Sequence, residues 1–168
     1  MRCTVAKTTG QVAGNPSARA VIIGYGSDLR GDDALGPIVA RTLEPMLADR
    51  DDVLIEICQG LTPDLALLIA EATIVVFVDC SAEGPVGEIV RQTVEPIAKS
   101  DLSMVHFLDP PALLTWTASL YGRAPQAVVL TVAGESFDIS EELTPIVAAT
   151  VPDLVDQVMS IIGEVCCA

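Results

Sequence analysis

Ala20-Val21-Ile22-Ile23-Gly24-Tyr25-Gly26-Ser27-Asp28-Leu29-Arg30-Gly31-Asp32-Asp33-Ala34-Leu35-Gly36-Pro37 opens as a β-branched apolar run and closes as the first turn of a helix. The run Ala20 to Ile23 reads as a buried parallel strand that stops at Gly24. From about Ala34 onward, Leu35, Ile38, Val39 and Leu43 recur at helical spacing, which predicts an amphipathic helix with its apolar face on a sheet. Glycines and aspartates fill the turn between them. In open parallel sheets this position, at the carboxyl end of a strand, is where ligands bind.

A glycine-bearing strand-to-helix turn invites comparison with nucleotide loops, and the comparison fails. A dinucleotide fingerprint needs glycine at the sixth place, where this chain has Leu29; a P-loop needs Gly-Lys-Ser or Gly-Lys-Thr, where it has Gly31-Asp32-Asp33. Two carboxylates at the helix start occupy its N–H donors and repel an anion, so the turn suits a cation better than a phosphate. The alternative for Asp32 or Asp33 is a simple helix cap, with Asp28 stabilising the turn.

Composition narrows the class further. The 168 residues are 51% hydrophobic but only 4% aromatic, so the core must be aliphatic, as buried parallel strands covered by helices require. A net charge of -14 argues against nucleic acid or an anionic membrane surface as partner and favours a cationic peptide segment or a metal ion. No apolar run is expected to span a membrane. The cysteines, Cys3, Cys58, Cys80, Cys166 and Cys167, are odd in number and lack ligand spacing, and no secretory leader is expected before them. They are expected to be reduced thiols in the cytoplasm, Cys58 and Cys80 acting as small buried hydrophobes, with a redox role for Cys80 as the alternative.

Along the chain, residues 1–18 read as a flexible arm and residues 19–165 as a single α/β domain. Val53 to Cys58 is a second strand; Thr62 is a candidate N-cap, with Pro63 at the first helical position of a helix running to about Ala72. Thr73 to Val78 is the most apolar strand and should be central. It delivers Asp79, whose bland alternative is an Asx-turn closing on Ser81 or Ala82. Gly84-Pro85-Val86-Gly87 is a turn, and Glu88 to Val94 alternates like an antiparallel edge strand. After a long connection containing His106, the only histidine, a helix is predicted from Asp109-Pro110 to Tyr121, then a strand over Ala127 to Val132 and a final helix after Pro145. The expected fold is a three-layer α/β/α sandwich around a mostly parallel five-stranded sheet with one antiparallel edge strand.

Asp33, Asp79 and His106 are the potential ligands. Parallel strands share a direction, so the first and third strands bring both carboxylates to one end of the sheet. Two carboxylates and an imidazole leave coordination places open and suit zinc or nickel more than calcium or magnesium. The alternative for His106 is a solvated loop histidine.

The stretch Gly24 to Pro37 resembles the amino-terminal signature of the nickel-iron hydrogenase maturation endopeptidases, in which a Gly-x-Gly-Asn turn precedes an acidic pair and a helix-opening glycine. The likeness extends to the apolar strand ending in Asp79, to His106, to Gly134 and to Leu143-Thr144-Pro145, covering Ala20 to about Val158. Ser27 stands where that family usually has Asn, Ala34 where Gly is common, and Gln59-Gly60-Leu61-Thr62 where many members have Asp-Gly-Gly-Thr.

The resemblance implies that Asp33, Asp79 and His106 are the metal-binding and catalytic set, with Asp32 orienting the helix start. It implies a cytoplasmic, monomeric protease that removes the carboxyl-terminal extension of a hydrogenase large-subunit precursor. Nickel supplied by that precursor would be the recognition signal, at a site able to take another divalent ion such as zinc or cadmium. The rival is a non-catalytic nickel-binding or delivery protein using the same groups.

Overall fold

A continuous apolar strand must be covered on both faces, and the computed structural model, which describes residues 19–97 and 108–166, shows how. In β1 (Ala20–Tyr25), Ala20 and Ile22 belong to one core cluster, while Val21 and Ile23 belong to a second on the other face. In β3 (Ile74–Ser81) the same alternation sends Ile74, Val76 and Val78 one way and Val75 and Phe77 the other. Phe77 is fully buried, a contribution of about 1.5–3 kcal/mol from transfer alone.

The remaining elements are α1 (Leu35–Met46), β2 (Val53–Cys58), α2 (Leu65–Ile69), β4 (Ile89–Val94), α3 (Pro110–Tyr121), β5 (Gln126–Ala133), α4 (Pro145–Ala148) and α5 (Val151–Cys166). The sheet has five strands in the order β2-β1-β3-β5-β4, with β3 central as expected. All pairings are parallel except β4 with β5. Helices α1 and α5 cover one face through Leu35, Val39, Leu43, Leu154, Val158 and Ile161. Helices α2 and α3 cover the other through Leu65, Ile69, Leu113 and Leu114. This is the expected three-layer α/β arrangement.

Several element boundaries differ from the sequence reading, each for an identifiable reason. Strand β1 does not stop at Gly24 but runs on to Tyr25, because β2 pairs with it as far as Tyr25–Cys58. Strand β3 continues to Ser81, so Asp79 lies within the strand, opposite Thr131, rather than after it. Helix α2 is shorter than expected. Leu65, Ala66 and Leu67 bond to carbonyls three residues back, at Thr62, Pro63 and Asp64, so the Thr62–Asp64 segment is a tight turn and no side chain caps the helix.

The single final helix is instead α4 followed by α5. Pro152, in the first turn of α5, has no N–H and its ring excludes a helical carbonyl four residues before it, which forces a new start. Across this break, Pro145–Glu164 is long and apolar enough to cross a membrane by length and composition, contrary to the expectation that no segment would be. Val147, Leu154, Val158, Ile161 and Ile162 bury its apolar face in the core. The expected arm, residues 1–18, lies outside the described residues.

Candidate active site

Three glycines let the β1–α1 connection fold tightly over the end of the sheet. A Cβ on Gly36 would strike the backbone of Val78 and Tyr25, and one on Gly24 would strike Gly36 O and lie 2.7 Å from Ala40 Cβ. Gly26, at φ 136°, is pressed against the Asp33 carbonyl. Helix α1 therefore starts directly on β1 and β3, which no side chain at these positions would permit.

Asp33 sits in the 3-10 turn Gly31–Ala34 that leads into α1, and its Oδ2 accepts a 2.8 Å bond from Ser27 N–H. That bond closes the turn back on itself and presents a half-buried carboxylate at the carboxyl end of β1. The helix-cap alternative does not hold for Asp33: neither the 3-10 turn nor α1 has a side-chain cap. The Asp28 carboxylate ties the turn to α1 instead, pairing with Arg41 at 2.6 Å.

Asp32 points the opposite way and is fully buried. Its Oδ2 accepts bonds from Glu135 N–H (2.8 Å), Ser136 N–H (3.0 Å) and the Thr144 hydroxyl (2.9 Å), and its Oδ1 from Thr144 N–H (2.7 Å). Burial alone would raise this carboxyl, and the donors of Thr144, Ser136 and Glu135 more than reverse that, holding it below the ordinary carboxylate range. Asp32 thus staples the β5–α4 loop to the β1–α1 turn; it caps no helix.

Asp79 arrives from β3, the strand hydrogen-bonded beside β1. Its Oδ1 accepts from Cys80 N–H at 2.8 Å, not from Ser81 or Ala82, so the Asx-turn alternative does not hold. Burial pushes the Asp79 carboxyl up to about 6, the nearby Asp33 charge adds to the rise, and hydrogen bonds from the Tyr25 hydroxyl and Cys80 N–H oppose it. Asp33 and Asp79 are therefore close enough to feel each other, as two parallel strands delivering carboxylates to one end should be.

Tyr25 is the residue of this cluster that sequence reasoning passed over. It ends β1 one strand away from Asp79, on the face that carries Val21, Ile23 and Phe77. Burial, then the Asp79 charge, hold its hydroxyl protonated well above the ordinary tyrosine range. A polar-tipped aromatic closing an apolar strand was the available signal.

His106 lies outside the described residues. Leu108, two positions on, donates its N–H to Leu61 O at 2.9 Å, which fixes the entry to α3 against the turn that follows β2. Asp109 then caps α3 by accepting from Ala112 N–H at 2.8 Å, at the helix start expected around Asp109-Pro110. Among the described residues, no group of three His, Cys, Asp or Glu side chains is gathered to hold a metal ion. Cys80 is a buried thiol, pushed up to about 12 by burial and by the charges of Asp32, Asp79 and Asp33. That environment disfavours the reactive thiolate a redox role would need.

No family model and no curated protein matches the chain. Solved structures do. The hydrogenase-maturating endopeptidase HybD from E. coli is 21% identical and superimposes with a TM-score of 0.66 over 87% of this chain and 93% of its own. The NiFe hydrogenase maturation protease HycI from Thermococcus kodakarensis is 24% identical, with a TM-score of 0.67 over 87% and 93%. This chain has the fold of the hydrogenase maturation endopeptidases. The hydrogenase 2 maturation peptidase from a Thaumarchaeota archaeon is 24% identical, with a TM-score of 0.63 over 86% of this chain and 98% of its own. The maturation-endopeptidase fold thus accounts for nearly the whole described chain.

Proposed function

We propose that the chain is an endopeptidase that removes the carboxyl-terminal extension of a nickel-iron hydrogenase large-subunit precursor after nickel insertion, and that it acts as a cytoplasmic monomer. The observation that carries this reading is the convergence of Asp33 and Asp79 at the carboxyl end of β1 and β3, in the maturation-endopeptidase fold. His106 is the third member of the set.

The nickel belongs to the substrate. Two neighbouring carboxylates repel each other, and a divalent ion between them relieves that repulsion, so an acidic cleft retains a precursor that carries nickel and rejects one that does not. Held there, the ion would supply Lewis-acid chemistry, polarising a scissile carbonyl and acidifying water. Asp33 or Asp79 would be the carboxylate that accepts the water's proton, and His106 would help to hold the metal. The Tyr25 hydroxyl lowers the Asp79 carboxyl and so favours its ionised form.

The test is mass spectrometry of the precursor incubated with purified protein. The wild type should shorten nickel-loaded precursor and leave nickel-free precursor intact, and Asp33→Asn, Asp79→Asn and His106→Ala should each fold yet process nothing. Full processing by all three variants overturns the site assignment. Equal cleavage with and without nickel overturns the gating. Stoichiometric nickel transfer without a change in precursor mass marks a carrier instead of a protease.

A further inference from the structure

We propose that Leu29 and Ile139 form a paired apolar anchor that docks the precursor, on a partner face made of an apolar socket bordered by Lys and Arg. This rests on the protease reading above and adds the surface that holds the substrate protein.

The two residues belong to one ribbon of chain. Arg30 and Ser140 form an isolated parallel bridge, and Leu29 and Ile139 immediately precede them. Ser140 N–H donates to Leu29 O at 3.1 Å and Gly31 N–H to Ser140 O at 2.9 Å, so the β1–α1 turn and the β5–α4 loop run side by side. Leu29 is 57% exposed and Ile139 is 94% exposed.

An isoleucine this exposed in a loose loop would mean little. Here the backbone is pinned by Asp32, by Asp32 N–H donating to Ser136 O at 2.9 Å, and by Arg30 Nε donating to Phe137 O at 3.3 Å. The loop cannot turn Ile139 inward, and folding spends several hydrogen bonds holding it in water. Apolar side chains held rigidly in water mark interaction surfaces more often than scattered ones do.

Position and charge name the occupant. Leu29 and Asp33 belong to the same β1–α1 turn, so a protein held at Leu29 is held by the connection that carries the candidate carboxylate. Glu135, Asp138, Glu141 and Glu142 surround Ile139 in sequence and are exposed, and no Lys, Arg or His follows Arg123. Of the nearby cations, Arg41 pairs with Asp28, while the exposed Arg30 donates its Nε–H to the Phe137 carbonyl and keeps its charge. An apolar anchor flanked in sequence by four exposed acids against one arginine is complementary to an apolar socket with a mostly basic rim, and a second copy of this acidic surface would be repelled. The other exposed aliphatics, such as Leu120 at the end of α3, do not share this turn.

The experiment measures precursor binding, by fluorescence anisotropy, separately from cleavage of the nickel-loaded precursor. Leu29→Ser and Ile139→Ser are surface changes expected to leave the thermal melt unmoved. Each should weaken binding by about tenfold, as loss of a central apolar anchor does, and raise KM while leaving kcat alone. Leu120→Ser should change neither. Added salt should weaken wild-type binding, and less so in Glu141→Gln/Glu142→Gln. A precursor bound and cut equally well by wild type and both serine variants overturns the anchor alone. One that binds the wild type, binds the variants more weakly and is never cut keeps the anchor and overturns the protease reading. A precursor neither bound nor cut overturns both, and a wild-type dimer that the serine variants dissociate overturns the anchor in favour of self-association.

Discussion

Asp32 and Thr144, 112 residues apart in the chain, are joined by two hydrogen bonds, from the Thr144 N–H at 2.7 Å and from its hydroxyl at 2.9 Å. With the Glu135 and Ser136 N–H groups, they make one buried carboxylate the acceptor for an entire loop.

Asp32→Ala should therefore cost about 3 kcal/mol, since it strips a charged acceptor from several buried donors at once. In a chain of this size that is a fall in Tm of roughly 6–12 °C, readable in a thermal melt. The effect should depend on pH. Because the folded Asp32 carboxyl is held below its unfolded value, its contribution is present above the unfolded pKa and fades as pH falls through the folded one. The gap between wild type and Asp32→Asn should narrow in acid.

Glu56 should show the opposite sign. It lies on β2, is 3% exposed, and is raised by burial and by the charge of Asp64. As pH rises past the ordinary carboxylate range the unfolded chain ionises first, so the folded state loses ground until it ionises too. Glu56→Gln should be more stable than wild type at neutral pH and equal to it in acid, measured by urea denaturation at both values.

Tyr25→Phe should remove a donor that lowers the Asp79 carboxyl. In metal-free protein the Asp79 resonance, followed by carbon NMR, should titrate near 6 in the wild type and higher in the variant. An unchanged midpoint would show that the hydroxyl does not face the carboxylate.

Gly36→Ala should be poorly tolerated, because its Cβ meets backbone rather than a movable side chain. Overpacking of this kind costs about 1–3 kcal/mol. Gly163 in α5 has open space where a Cβ would go, and Gly163→Ala should stabilise by about 0.5–1 kcal/mol. Opposite shifts in Tm for the two variants would separate close approach from helix propensity.

What could be read in the sequence was what is local. The apolar runs of β1, β3 and β5 announce strands covered on both faces, and Asp109-Pro110 and Gly122 mark the limits of α3 because capping acts within one turn. What escaped was set by partners far along the chain. Nothing near Asp32 says that its donors lie beyond residue 134, and nothing near Gly24 says that β2 will carry β1 on to Tyr25. The division of α4 from α5 was visible at Pro152 and was masked by an unbroken apolar period on either side. Of the candidate site, the sequence pattern implied that Asp33 and Asp79 belong to one end of neighbouring parallel strands, whereas Tyr25 declares itself only through the strand beside it.

The staple made by Asp32 also bears on kinetics. A loop already immobilised when the chain folds surrenders no further freedom on meeting a partner, so the encounter approaches the docking of two rigid bodies. Sequence changes in residues 134–144 that keep the staple should then act on how long a complex lives rather than on how fast it forms.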